Sequence, residues 1–303
     1  MVSSQNNPVS RASQPMFMRA VFFMILGMVG FTFADLFVKL SSQTIPSSQV
    51  LTVIGLGTGV TFALMMLVRG EPLWQAKYIH KVVLLRSFGE FLAAFGILLA
   101  LAAVPLGTIT AVMQVQPLVL TVLGAAFLKE AVGWRRISAV LFGLIGVLII
   151  LRPGMAGFNP AILFALVGVA GMSIRDIGSR LLPTDISTSS VSFVGAMIVG
   201  GAGLLIGLWQ MNWVMPQGVA WWYLALMVLF ATAGVFCVTT AMRLAEVSAI
   251  GPFRYVRVIF GIAAGVVFLG ETIDGPVIVG SFIVVGAGLY AWQRERRQSA
   301  GGK

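Results

Sequence analysis

Residues 19–41 read RAVFFMILGMVGFTFADLFVKLS, and residues 160–182 read PAILFALVGVAGMSIRDIGSRLL. Each is an apolar run of the length needed to cross a bilayer core of roughly 30 Å, for which a helix uses about 20 residues. Shifted by 141, Gly27, Gly30, Asp35 and Lys39 of the first fall on Gly168, Gly171, Asp176 and Arg180 of the second. The same ungapped shift places Gly124, Phe127, Leu128 and Glu130 on Gly265, Phe268, Leu269 and Glu271. Two distant clusters on one offset mark an internal repeat, the feature to look for before any fold is named.

The rest of the chain fits that frame. Of 303 residues, 58% are hydrophobic and 10% charged, with a mean hydropathy of +0.98. A soluble domain carries about 25% charge, so this composition excludes a cytosolic enzyme, a disordered chain and a nucleic-acid-binding domain. Ten spans are expected, at about 19–41, 48–68, 79–102, 106–128, 136–151, 160–182, 188–209, 218–242, 247–269 and 275–292. The fold class is therefore an all-α polytopic membrane protein, with short tails at 1–18 and 293–303 and repeats at 19–154 and 155–292. Each repeat holds five spans. Five is odd, so the second half enters the membrane inverted, an arrangement recurrent in secondary transporters.

The net charge of +10 is mainly an orientation signal. With the N-terminus in the cytoplasm, fourteen basic residues gather on that side and only Lys39 and Arg152 on the other. Both termini are then cytoplasmic by the positive-inside rule. The single cysteine, Cys237, cannot form an internal disulfide, and the single histidine, His80, has no cluster with which to hold a metal. No cofactor is implied.

Ionisable groups at membrane depth are costly and mark pathways or partners. Asp35 with Lys39, and Asp176 with Arg180, are spaced i,i+4 on one helix face and recur in both halves, which suits local ion pairs; the functional alternative is a pair of gates. Other groups break the symmetry. Arg86 aligns with Met227, Glu90 with Ala231, Arg254 with Met113 and Arg257 with Gln116. A feature the fold requires tends to appear twice, whereas one the substrate requires need not. At 1.5 Å per residue, these arginines and Arg175 lie roughly 10–15 Å inside the membrane. Arg86, Glu90, Arg175, Arg254 and Arg257 are accordingly expected to line one cavity, positive on balance, suited to a carboxylate, a phosphate or an electron-rich carbonyl. A buried salt-bridge network is the alternative. Gln114 and Gln116 precede Pro117, and Pro252 follows Gly251; prolines that break backbone at midplane are tolerated where they line a cavity. Tyr255 could stack on a ring or simply pack. Glu90, without an acidic twin, is the expected coupling site for a proton.

The sequence also resembles a known family. Val104-Pro-Leu-Gly-Thr108, Gln116-Pro-Leu118, Phe127-Leu-Lys-Glu130, Gly133-Trp-Arg-Arg136 and Arg152-Pro-Gly154 look like a first EamA domain. Glu246-Val-Ser-Ala-Ile-Gly-Pro-Phe-Arg-Tyr255 through Phe268-Leu-Gly-Glu271 resembles a second. The resemblance, to the EamA family of the drug/metabolite transporter superfamily, implies ten helices around a central cavity and transport of a small solute across a bacterial inner membrane. That family exports amino acids and other metabolites and imports compounds such as riboflavin and S-adenosylmethionine. Pro252-Phe-Arg-Tyr255 followed by Arg257 looks closest to proteobacterial members, some of them similar to riboflavin transporters. The implied function is uptake of a vitamin such as riboflavin, with amino-acid export as the alternative; an intramembrane enzyme or a channel fits less well. Expected partners are the solute and the lipid bilayer, with a homodimer left open.

Overall fold

The computed structural model describes residues 14–128, 134–153, 158–183, 186–244 and 250–301, and no strand occurs among them. The α-helices are α1 (Gln14–Ser41), α2 (Ser47–Val68), α3 (Lys81–Ala103), α4 (Leu106–Met113), α5 (Gln116–Leu128), α6 (Trp134–Leu151), α7 (Ile162–Arg180), α8 (Thr188–Gln210), α9 (Ala220–Leu244), α10 (Val256–Leu269) and α11 (Gly275–Gly301), with 3-10 turns at Ala76–Ile79 and Gly251–Tyr255. Seven helical segments among the described residues are long and apolar enough to cross a membrane: Met16–Ser41, Ser47–Val68, Lys81–Ala103, Ile162–Ser179, Thr188–Gln210, Ala220–Met242 and Pro252–Leu269. Three shorter apolar segments, Leu106–Leu120, Ile137–Leu151 and Gly275–Tyr290, accompany them. Helix starts carry local signals. Pro46 and Pro105 precede α2 and α4, where a missing N–H costs nothing. Ser187 caps α8 through the N–H of Ser190 at 3.0 Å. His80 Nδ1 accepts from the N–H of Val82 at the start of α3.

Three boundaries differ from the sequence expectation. Helix α1 begins at Gln14, inside the expected tail, and α11 continues to Gly301, through most of the other. The span expected at 106–128 is two helices, broken at Gln114–Val115. There the backbone tightens into i→i+3 bonds, Gln114 to Ala111 and Val115 to Val112, and Pro117 has no N–H with which to continue the ladder.

The helices pack α1 on α9, α3 on α7, α2 on α8, α6 on α11 and α4 on α10. Exchanging the halves turns the first pair into the second and returns each of the other three to itself. The register obeys the same exchange. A Cβ on Gly27 would meet Val238, and one on Gly168 would meet Ile97; Gly30 abuts Gly234, and Gly171 abuts Ala93. The offset of 141 relates Val238 to Ile97 and Gly234 to Ala93. Twins also run antiparallel: Gly55 faces Gly200 while Gly203 faces Thr52, and Gly143 faces Ala287 while Gly280 faces Ile150. That is the inverted relation of the two halves, built on small residues that let backbones approach where no water drives association. Large apolar side chains such as Phe142, Leu205 and Phe282 stay exposed on the outside of the bundle.

Candidate functional site

A cavity of about 170 Å³ lies at the centre of the helices. Its walls are largely apolar, from Met28, Phe31, Leu51, Phe62, Ala93 and Met172. Its polar groups are Asp35 from α1, Glu90 from α3, Gln114 and Gln116 at the α4–α5 break, Arg175 from α7, Arg254 from the 3-10 turn and Arg257 from α10. A second space of about 260 Å³, the vestibule, adjoins it towards the α7–α8 loop and is lined by Arg86, Asp176, Ser179, Leu182, Ser187 and Thr188. Phe31, Glu90, Arg175, Val235 and Val238 border both spaces and so form the constriction between them.

The residues expected to share one cavity are thus mostly together. Glu90, Gln114, Gln116, Arg175, Arg254 and Arg257 line the centre, and Arg86 lines the vestibule instead. Tyr255 lines neither space; it is buried against α11 at Gly288.

Every one of these charges has a partner. Arg86 Nη1 reaches Glu90 Oε2 at 2.7 Å, the i,i+4 face expected for α3, and its Nε donates to Ser179 Oγ at 3.0 Å. Asp176 accepts from Gln116 Nε2 at 2.7 Å, from Arg254 Nη1 at 3.0 Å and from Arg175 Nη2 at 3.1 Å. Asp35 accepts from Arg257 Nη2 at 2.5 Å. The pairing of Asp35 with Lys39 is therefore corrected: Lys39 turns to Glu271, at 3.3 Å. The tertiary partner wins because an isolated carboxylate at this depth is far more costly than an exposed pair is worth. In the twin expectation, Asp176 with Arg180, the Arg180 side chain lies outside the described part; Asp176 itself is held by Arg175 and Arg254. Lys129, Glu130 and Gly133 also lie outside the described residues.

The balance is four arginines, Arg86, Arg175, Arg254 and Arg257, against Asp35, Glu90 and Asp176. Asp35 and Asp176 join Glu90, the one acid of the expected set, yet the sum stays positive. The Nε atoms of Arg254 and Arg257 and the Oγ of Ser192 are buried with no hydrogen-bond partner among the described residues. Such groups are costly to leave unpaired, and all three residues line the central cavity. Ser192 and Phe31 were not singled out by the sequence. Phe31 lies under the Arg257 guanidinium, 5.3 Å from ring centroid to Cζ, in cation–π range; one phenylalanine among 21 carries no such signal.

The breaks in the two discontinuous segments are equivalent although their prolines are not. Gln116 starts α5 and Arg257 is the second residue of α10, and the offset of 141 superposes them. Side chains from these helix starts hold the two repeat-related aspartates, a discontinuous-helix arrangement of the kind that builds midplane sites in carriers.

Residues 18–152 and 159–291 each match the EamA-like transporter family. Among similar proteins is an S-adenosylmethionine uptake transporter of Rickettsia felis, 26% identical over 217 residues, covering 71% of each chain. A riboflavin transporter of Vibrio cholerae is 28% identical over 214 residues, covering 69% of this chain and 71% of that protein. A riboflavin transporter of Rhizobium johnstonii is 26% identical over 215 residues, covering 68% and 69%. A crystal structure 19% identical in sequence superposes with a TM-score of 0.61 over 90% of this chain and 98% of its own, which shows the same fold. With one match in each half, around a central cavity, the chain belongs to the EamA-like transporter family.

Proposed function

We propose that the chain is an inner-membrane secondary transporter that takes up a small organic solute by alternating access, and that a riboflavin-like vitamin is the solute. Reading the three shorter apolar segments as further spans gives ten, with both termini cytoplasmic and the vestibule open to the cytoplasm. Arg86, Glu90, Gln114, Gln116, Arg175, Arg254 and Arg257 are the proposed solute-contacting residues, while Tyr255 supports the fold around them. Glu90, Asp35 and Asp176 are the proposed coupling or gating groups.

The observation that carries the substrate is the pairing of apolar walls with Arg175, Arg254 and Arg257, which leave the cavity lining positive over Asp35 and Glu90. Riboflavin offers a flat, uncharged ring edged with carbonyl and nitrogen acceptors. S-adenosylmethionine carries a sulfonium, an ammonium and a carboxylate; the arginines could pair with the carboxylate, but they oppose its net positive charge. The central space alone is below the roughly 300–1,000 Å³ of a typical ligand site, so a solute of this size reaches through the Phe31 constriction into the vestibule. The Rickettsia relative favours a second reading, an adenosyl solute, with Glu90 and Asp35 facing its cations. Amino-acid export is the remaining alternative. Growth of a riboflavin auxotroph at limiting vitamin, dependent on this chain, supports riboflavin uptake. Failure to grow, together with saturable uptake of labelled S-adenosylmethionine, overturns it in favour of the adenosyl solute.

A further inference from the structure

The symmetry between the halves is also broken at the two ends of the bundle. The vestibule walls include Leu182, Thr188, Val191 and Met242, and the repeat offset carries these to Ser41, Ser47, Val50 and Leu101 at the opposite end of the bundle. There, Ser41, Val50 and Leu101 are completely buried. Leu182 and Met242 are half-buried where their twins Ser41 and Leu101 are packed shut, whereas Val191 is buried like Val50, and Thr188 and Ser47 are both half-buried.

Lys39 sits on that shut surface. Its Nζ lies 2.5 Å from the carbonyl of Val104, 3.3 Å from that of Leu101 and 3.3 Å from Glu271 Oε1. Glu271 accepts in turn from the N–H of Leu106 at 2.8 Å and of Gly107 at 3.3 Å. One ion pair thus grips both sides of the turn between α3 and α4. The ammonium meets carbonyls that end α3, and the carboxylate meets N–H groups that begin α4, each the favourable sign for its helix end. Gly265 leaves room for this, since a Cβ there would strike the Glu271 carboxylate. Leu101, gripped through its carbonyl, is the twin of the vestibule residue Met242. The Oγ of Ser41 is buried with no partner among the described residues, a cost that water would relieve if the surface parted.

We propose that Lys39 and Glu271 form the latch of a second mouth, at the end opposite the vestibule, and that its release exposes Ser41, Val50 and Leu101. The proposal rests on the alternating-access reading above. It gives the two residues a role apart from the solute site, because neither lines the central cavity.

The test uses the full chain with Cys237→Ser, in membrane vesicles of both orientations, and a membrane-impermeant maleimide. Leu101→Cys reports the second mouth and Thr188→Cys the vestibule. Leu101→Cys is expected to react slowly, and only from the side away from the vestibule. Glu271→Gln or Lys39→Met speeds that reaction about two- to fivefold, the range for charges at helix ends, and slows Thr188→Cys, while Lys39→Arg keeps both rates near the parent. Unchanged Leu101→Cys rates in both latch variants, in protein that still transports, overturn the latch alone. A Leu101→Cys protein that transports but never reacts overturns alternating access at this end as well. If Glu271→Gln loses the capped fold of α4, Lys39→Met decides, because it leaves that cap in place.

Discussion

Arg257 donates to Asp35 across 2.5 Å, tying the first helix of one half to the broken segment of the other. The repeat builds the same joint twice, for the twin of Arg257 is Gln116, which donates to Asp176 across 2.7 Å. The two joints solve the buried-charge problem differently. Arginine neutralises its aspartate directly, whereas neutral glutamine cannot, and Asp176 draws Arg175 and Arg254 as well.

Removing Arg257 should therefore strand Asp35. Arg257→Leu is expected to cost about 3–5 kcal/mol, as for other broken buried pairs, and Asp35→Asn in the same chain should recover most of it. Arg257→Gln, which copies the twin joint, should fall between. Thermal unfolding of the detergent-solubilised protein measures all three.

Asp176→Asn removes one negative charge beside Arg175 and Arg254 and raises the positive balance of the site. Flavin mononucleotide, the phosphorylated analogue, should then compete with riboflavin better than in the parent, by at least about tenfold, equivalent to ~1.4 kcal/mol. A competition assay on uptake reads this directly.

The helix seams predict a ranked pair. A Cβ on Gly171 would lie 2.3 Å from the Ala93 nitrogen, whereas one on Gly30 would lie 3.1 Å from Gly234. Gly171→Ala should destabilise by about 1–3 kcal/mol, the usual range for overpacking, and Gly30→Ala by clearly less. Their unfolding midpoints test the order.

Glu90 lies between cavity and vestibule, with one oxygen on Arg86. If it couples transport to protons, Glu90→Gln should abolish the response of the remaining uptake to an imposed pH gradient, whatever it does to the rate down a solute gradient. Uptake that still follows the pH gradient excludes Glu90 from that role.

Much of this architecture was legible in the sequence because the membrane imposes strong rules. Apolar runs located the helices, and one offset located the twin seams that Gly27, Gly30, Gly168 and Gly171 form. Charges without twins pointed to Glu90, Arg175, Arg254 and Arg257, which do meet around one cavity. Partner choice was not legible. Spacing i,i+4 served Arg86 and Glu90, which pair on one face of α3, and failed for Asp35 and Lys39, because α10 and the turn before α11 bring Arg257 and Glu271 from more than 200 residues away. Tyr255 was misplaced for the same reason: sequence shows depth in a span but not which side of the helix meets Gly288. Ser192 and Phe31 gained importance only from what surrounds them.

The most direct measurement is uptake of labelled riboflavin into proteoliposomes holding the purified chain, compared with its Arg175→Gln variant. The account predicts saturable uptake, competed by riboflavin and not by S-adenosylmethionine, and reduced roughly ten- to a hundredfold in the variant, as for loss of a charged hydrogen bond. No saturable uptake, or uptake undiminished in Arg175→Gln, would contradict it.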